Sequence, residues 1–220
     1  MEYSMSTKRK NQIRSFEVRD ISIADAADYQ KAFNASAGHL EKYLEWGASA
    51  TEFDLKRCQD ILMRIAAEKY PDKTFAICSW GKLVGEINFG GGSRHDGLQI
   101  TYWVGKNNAG KGLCTKAVKK LMEKAFLMED INFLEIHADK NNLASKQVAK
   151  KAGFIHYDSY EYEGYGSEGM GIMDVYIFLT PRARYVATMS KFFGGQGIDL
   201  EIRPNSRNRR ERFKLVNTQK

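Results

Sequence analysis

Proline and cysteine are scarce, three of each in 220 residues, and their scarcity excludes collagen-like, proline-rich and disulfide-scaffolded chains. Cys58, Cys78 and Cys114 are odd in number, sit in apolar or periodic segments and form no C-x-x-C pair, which points to a reducing compartment. No apolar stretch approaches the ~18 residues of a membrane span, and no apolar core follows the basic Lys8-Arg9-Lys10. Neither a spanning helix nor a secretory leader is therefore expected, and the cytoplasm is the expected location. Histidines number four, and His39, His137 and His156 lack the spacing of metal ligands, so no metal site is expected.

What is present is ordinary globular material, 43% hydrophobic and 28% charged. A chain of this length folds as one domain, burying roughly 70% of the surface its unfolded form exposes without a disulfide or metal staple. The formal net charge of +7 is unevenly placed. Residues 1–14 hold four cations against one acid and residues 201–220 hold seven against two, which leaves the stretch between them close to neutral. The basic character belongs to the ends. It fits a solubilising tail or a phosphate-seeking arm that docks on RNA or the ribosome.

From Phe16 onward, strand-like and helix-like runs alternate, the pattern of an α+β domain built on a mixed sheet. Residues 15–23 alternate as a strand. Ser22-x-x-Asp25 predicts a capping box for a helix through Phe33, and Thr51-x-x-Asp54 predicts another for a helix to about Lys69, with Phe53, Leu55, Ile61, Leu62 and Ile65 facing the core. Residues 74–79 and 83–89 read as a hairpin turning at Trp80-Gly81-Lys82, and a glycine-rich stretch leads to a strand over 98–104. A loop over 105–112 opens a helix whose apolar face is Leu113, Ala117, Val118, Leu121, Met122, Ala125 and Phe126. A strand over 133–138 follows, then a short helix capped by Asn142 and stopped at Gly153, and strands over 154–162 and 173–180. Beyond Pro181, residues 185–193 suit a helix, Ile198, Leu200 and Ile202 alternate as a strand, and about the last fifteen residues read as mobile. The expected organisation is a basic tail over 1–14, the domain over 15–180 and a basic extension over 181–220.

The passage from strand 98–104 into the following helix is the most informative part of the chain. Glycines that turn a strand into a helix gather unpaired backbone N–H groups and the positive end of the helix dipole at one point, where anions bind. From Gly105 to Met122 there are five cations, Lys106, Lys111, Lys116, Lys119 and Lys120, and no acid. Gly105-x-x-x-x-Gly110-Lys111 follows a P-loop for seven residues, but Gly112 stands where a Ser or Thr should hold magnesium. Gly110-x-Gly112 opens a dinucleotide fingerprint whose third glycine is Thr115. A nucleotide-hydrolysing enzyme and a non-catalytic RNA or ribosome binder are two readings these features leave open.

The run Ile100-Thr101-Tyr102-Trp103-Val104-Gly105, then Gly110-x-Gly112-Leu113-Cys114-Thr115-Lys116-Ala117-Val118, resembles the acetyl-CoA motif of the GNAT N-acetyltransferases. Asn142-Leu143-Ala144-Ser145-x-x-Val148 and Lys151-Ala152-Gly153-Phe154 resemble that superfamily's second motif, and Asp174-Val175-Tyr176 completes a resemblance over about residues 15–180. It is most similar to the branch that acetylates amino termini of ribosomal proteins. The resemblance implies a single domain with splayed central strands, acetyl-CoA as co-substrate, and a primary amine as acceptor, here a protein α-amine such as a ribosomal protein's. A monomer or homodimer is expected. The resemblance places the coenzyme against Tyr102, Trp103 and Val104 on the strand edge, in a cradle of Asn108, Ala109, Gly110, Lys111, Gly112, Leu113, Cys114 and Thr115, and beside Asn142 and Ser145.

On those terms Ser145 is the expected hydroxyl beside the departing thiolate, with Tyr102, Tyr157 and Tyr160 as alternatives. Gln99 stands where family members commonly carry Glu, and an amide cannot take a proton. Glu163 is the expected base, with Glu161, His95 and Asp96 as further candidates. An α-amine with pKa about 7.7–8 is roughly 10–15% neutral at pH 7, against about 0.04% for a lysine near 10.4, so an α-amine needs far less help from a base. The absence of the central carboxylate therefore favours an α-amino acceptor.

Overall fold

The protein is described from a computed structural model covering residues 16–43, 52–69, 73–94, 97–128, 131–163, 170–181, 183, 198–202 and 213–217. Thr51, His95 and Asp96, the amino-terminal tail and the helix expected over 185–193 lie outside these residues.

The first strand, β1 (Glu17–Asp20), gives way to a 3-10 turn and helix α1 (Ala26–Asn34). The expected capping box is formed: the Ser22 side chain accepts from Ala24 N–H and the Asp25 carboxylate accepts from Ser22 N–H at 3.0 Å. Arg19 grips the same carboxylate with two bonds of 2.6 and 2.8 Å. A short helix the pattern did not announce, α2 (Ala37–Leu40), follows at once. Next comes α3 (Leu55–Ala66), whose cap is Asp54 itself, accepting from Arg57 N–H at 2.7 Å, rather than a box centred on Thr51. Phe53 and Leu62 are buried and Ile61 and Ile65 pack against the core as expected, joined by Cys58, whereas Leu55, in the first turn, is exposed.

Strands β2 (Thr74–Ser79) and β3 (Lys82–Arg94) form a hairpin with Ser79 facing Lys82. The loop is therefore the two residues Trp80 and Gly81, both at positive φ, as a tight primed turn requires. β3 runs through the glycine-rich stretch and pairs with β4 (Gly97–Val104). Helix α4 (Leu113–Ala125), strand β5 (Phe133–Asp139), helix α5 (Leu143–Ala152), and strands β6 (Ile155–Glu163) and β7 (Met170–Leu179) complete the domain. The sheet order is β1-β2-β3-β4-β5-β7-β6, antiparallel except for the parallel pair β4–β5. A separate two-stranded sheet joins β8 (Ile198–Ile202) to β9 (Phe213–Asn217). Residues 213–217, within the stretch expected to be mobile, pair as this second strand.

The sheet is covered on both faces. On one, α4 and α5 bury Leu113, Ala117, Val118, Leu121 and Ala149 against Ile87, Leu98, Ile100, Leu134 and Ile136. On the other, α1 and α3 pack over the sheet, and α1 and the segment before α3 form an aromatic cluster with Trp103: Phe33 stacks on Phe53 at 4.1 Å between centroids, and Tyr29 meets Trp103 edge-on at 5.6 Å. The Asn34 amide ties the backbone of Phe53 through both its carbonyl and its N–H, each at 2.9 Å, docking the segment before α3 onto α1.

Candidate active site

The parallel pairing of β4 with β5 covers only Gly97–Phe133, Leu98–Leu134 and Gln99–Glu135. Beyond it the strands part, as expected, so the β5-facing edge of β4 from Ile100 to Val104 carries no ladder with that strand. A cavity of about 1250 Å³ occupies the opening. That exceeds the roughly 300–1,000 Å³ of a single small-molecule site and suits two reactants.

At one end of the cavity β4 runs into the glycine loop. Gly110 and Gly112 have φ of +74° and +73°, and a Cβ at either would meet nothing within 4 Å. Glycine is there for its backbone angle, and the space beside it is open. Gly112 caps α4 without any side-chain bond, and the first intrahelical bond is Lys116 N–H to Gly112 O at 3.1 Å. The N–H groups of Leu113, Cys114 and Thr115 precede that bond and so have no partner within the helix. The loop is anchored from behind by Gly105 N–H to Val84 O at 2.7 Å and by Lys106 N–H to Ser36 Oγ, also 2.7 Å. Buried Ser36 in turn donates to Ala32 O, which links the loop to the helices on the opposite face.

Most expected coenzyme-contacting residues line this cavity: Tyr102, Trp103, Val104, Asn108, Ala109, Gly110, Gly112, Leu113, Cys114, Thr115, Asn142 and Ser145. Lys111 does not; its amine bonds back to Asn107 O at 2.8 Å. Ser145 opens α5, where Asn142 Oδ1 accepts from its N–H at 3.0 Å, and its hydroxyl lies 3.0 Å from that of Tyr102. The two hydroxyls are thus one unit. Burial pushes the Tyr102 phenol far above its usual range, so it is a proton donor and not a phenolate. Burial likewise pushes the Cys114 thiol up to about 12, outweighing the thiolate-favouring helix terminus and excluding it as a nucleophile at neutral pH.

The expected base is not gathered here. Glu163 closes β6 as an exposed residue that does not line the cavity, and neither does Glu161. Tyr157 packs beside Phe133 and Ile177, away from the opening. Two residues not weighed as proton acceptors from the sequence meet at the cavity wall. His137, on β5, lines the cavity with its side chain largely buried, Nε2 3.1 Å from Glu135 Oε2 and Nδ1 3.2 Å from the Tyr160 hydroxyl. Glu135 and His137 lie two apart on one strand, hence on one face, and that spacing was the signal available. Among the described residues no group of three His, Cys, Asp or Glu side chains is placed to hold a metal.

A splayed mixed sheet with an amide-rich loop at the mouth of the opening is an arrangement able to receive an anionic ligand beside a free strand edge. The chain belongs to the acetyltransferase (GNAT) domain family, which matches residues 16–155. It is accordingly an acetyltransferase whose acetyl donor is acetyl-CoA. The fold is similar to that of RimL, a ribosomal L7/L12 α-N-protein acetyltransferase solved with coenzyme A (16% identity, TM-score 0.67, 76% of this chain and 95% of that one). It is also similar to the microcin C7 self-immunity acetyltransferase MccE, solved with acetyl-CoA and AMP (17%, 0.68, 76% and 93%), and to Mycobacterium smegmatis RimJ with a CoA disulfide (20%, 0.64, 76% and 83%). No curated protein matches the chain. Among the described residues no helix is long and apolar enough to cross a membrane.

Proposed function

We propose that this acetyltransferase acts in the cytoplasm on the α-amine of a protein amino terminus. The observation carrying the reading is the opening of β4 from β5 beyond Gln99, which leaves an amide, not a carboxylate, at the head of a cavity large enough for two reactants. An amide at that point suits an acceptor that is already partly neutral at physiological pH. The folds of RimL and RimJ support a ribosomal protein as the acceptor class.

In this reading the N–H groups of Gly110 to Thr115 and the α4 dipole receive the coenzyme's diphosphate, and the free edge of β4 at Trp103 and Val104 receives its extended arm as an added strand would be received. A backbone N–H on that edge steadies the negative charge that develops on the thioester oxygen. The Tyr102–Ser145 pair protonates or hydrogen-bonds the sulfur as it leaves. The basic ends of the chain attract a polyanionic partner such as RNA on the ribosome.

Isothermal titration with acetyl-CoA tests the donor site: binding at micromolar concentration is expected, and none at tens of micromolar overturns the assignment. A panel of peptides bearing free α-amines or only lysine amines, supplied with labelled acetyl-CoA, tests the acceptor. Label entering lysine side chains in preference to α-amines would reject it.

A further inference from the structure

Acetyl transfer leaves one need unmet, a group that takes the proton the amine sheds. Gln99 cannot take it and Glu163 is not in the cavity. The missing carboxylate stands one strand away. Glu135 is the register partner of Gln99, the last pair before β4 and β5 separate. Two positions along the same face His137 reaches the cavity wall, and the Tyr160 hydroxyl, crossing from β6 over β7, meets its other nitrogen. The Glu135 and His137 side chains are only 5% and 6% exposed.

Chemistry gives the array a direction. A carboxylate only accepts, so Glu135 takes the Nε2–H of His137, and the neutral imidazole then offers its Nδ1 lone pair to the Tyr160 O–H. Tyr160 itself lines the cavity. The adjacent pair on the same face is different in kind. Tyr162 crosses β7 over Gly171, where a Cβ would lie 2.7 Å from its ring, and donates to Asp139 at 2.8 Å. Asp139 also accepts from Asn141 N–H at 2.7 Å, so that contact holds the turn before α5. Tyr160 ends instead on an imidazole backed by a buried carboxylate.

We propose that Tyr160, His137 and Glu135 form the proton-accepting relay of this enzyme, an inference that rests on the acetyl-transfer reading of the cavity. As the amine nitrogen bonds to the acetyl carbon and the carbon–sulfur bond breaks with its electron pair going to sulfur, the amine proton passes to the Tyr160 oxygen. The Tyr160 hydroxyl proton moves to His137 Nδ1, and Glu135 stabilises the imidazolium so formed. The relay resets by releasing a proton to solvent. The charged and titratable groups sharing the cavity with His137 are Asp139 on its own strand, Tyr102 on β4, Cys114 and Lys151 on α4 and α5, Lys106 in the loop, and His39, Lys42 and Tyr43 around α2. β7 contributes only Met173.

Tyr160→Phe, His137→Gln and Glu135→Gln test this against a panel of tripeptide amides with free α-amines, together with calorimetric binding of coenzyme A. Tyr160→Phe and His137→Gln are expected to lower kcat about 100-fold with coenzyme A affinity held within about twofold. The acid-side fall of kcat/KM with pH should flatten in His137→Gln to the slope set by ionisation of the acceptor amine alone, and should move in Glu135→Gln. Tyr160→Phe removes a single oxygen and guards against a folding artefact in the other two. Variants that bind coenzyme A and turn over at the native rate with an unchanged pH profile overturn the relay alone, whereas a native protein that binds no coenzyme A overturns the acetyl-transfer reading beneath it.

Discussion

Glu86 lies on β3 between Ala76 and Trp103, fully enclosed by the α1 side of the sheet, and its Oε2 has no hydrogen-bond partner. Burial raises its pKa to about 7, only partly offset by the polar groups of Trp103 and Tyr29 nearby. The folded protein therefore holds a proton that the unfolded chain releases from its ordinary value of 4.5 upward. The resulting stability is fully present below that value, falls as pH rises toward 7, and is lost above it; the drop is at most about 3 kcal/mol. Glu86→Gln should remove this part of the decline, so urea unfolding at pH 5 and pH 8 should differ less in the variant than in the native protein. An equal decline in both would show that Glu86 is not its source. Ser145 obeys a different logic, because it lines the cavity and is not part of the core. Ser145→Ala should slow turnover about tenfold or more while leaving coenzyme A affinity nearly unchanged; equal losses in both would contradict its role at sulfur.

At the scale of elements, the loop between β4 and α4 is where backbone angle alone carries function. Gly110→Val meets no neighbour, since nothing lies within 4 Å of the added Cβ, yet valine at φ +74° is strained. The turn should re-form elsewhere and misdirect the amides, so calorimetry is expected to find coenzyme A binding abolished while the melting temperature falls only slightly. A large fall in melting temperature with binding retained would reverse this account. Such local devices were legible in the sequence: the Ser22–Asp25 box, the Asn142 cap, the Gly110–Gly112 loop and the apolar face of α4 each depend on residues within a few positions. What escaped depended on distance along the chain. α2 is four residues long, too short for periodicity to register. Lys111 is turned from the cavity by the Asn107 carbonyl, a contact charge counting does not anticipate. Glu163 shares a strand with Tyr160, but only pairing across β7 decides which of them reaches the opening. β9 exists through pairing with β8, and its own segment reads as a polar tail.

For the whole molecule, the governing fact is that a near-neutral domain is flanked by strongly basic ends. Charge placed outside the reacting cavity changes encounter with a partner more than it changes chemistry, and its effect is screened by salt. Replacing Arg207, Arg209, Arg210 and Arg212 together by Gln removes four cations from the carboxyl-terminal segment while leaving Phe213–Asn217 intact to pair with β8. Acetylation of a free peptide by this variant should match the native rate, because the cavity is unaltered. Acetylation of the same amino terminus displayed on a ribosomal particle should fall, and its dependence on salt should flatten, because each lost phosphate contact removes about one counterion from the binding equilibrium. If the free peptide suffers as much as the particle, these arginines serve the catalytic domain itself. If neither changes, the basic segment does not recruit a polyanion, and recognition of the acceptor must reside wholly in the walls of the cavity around α2 and β6.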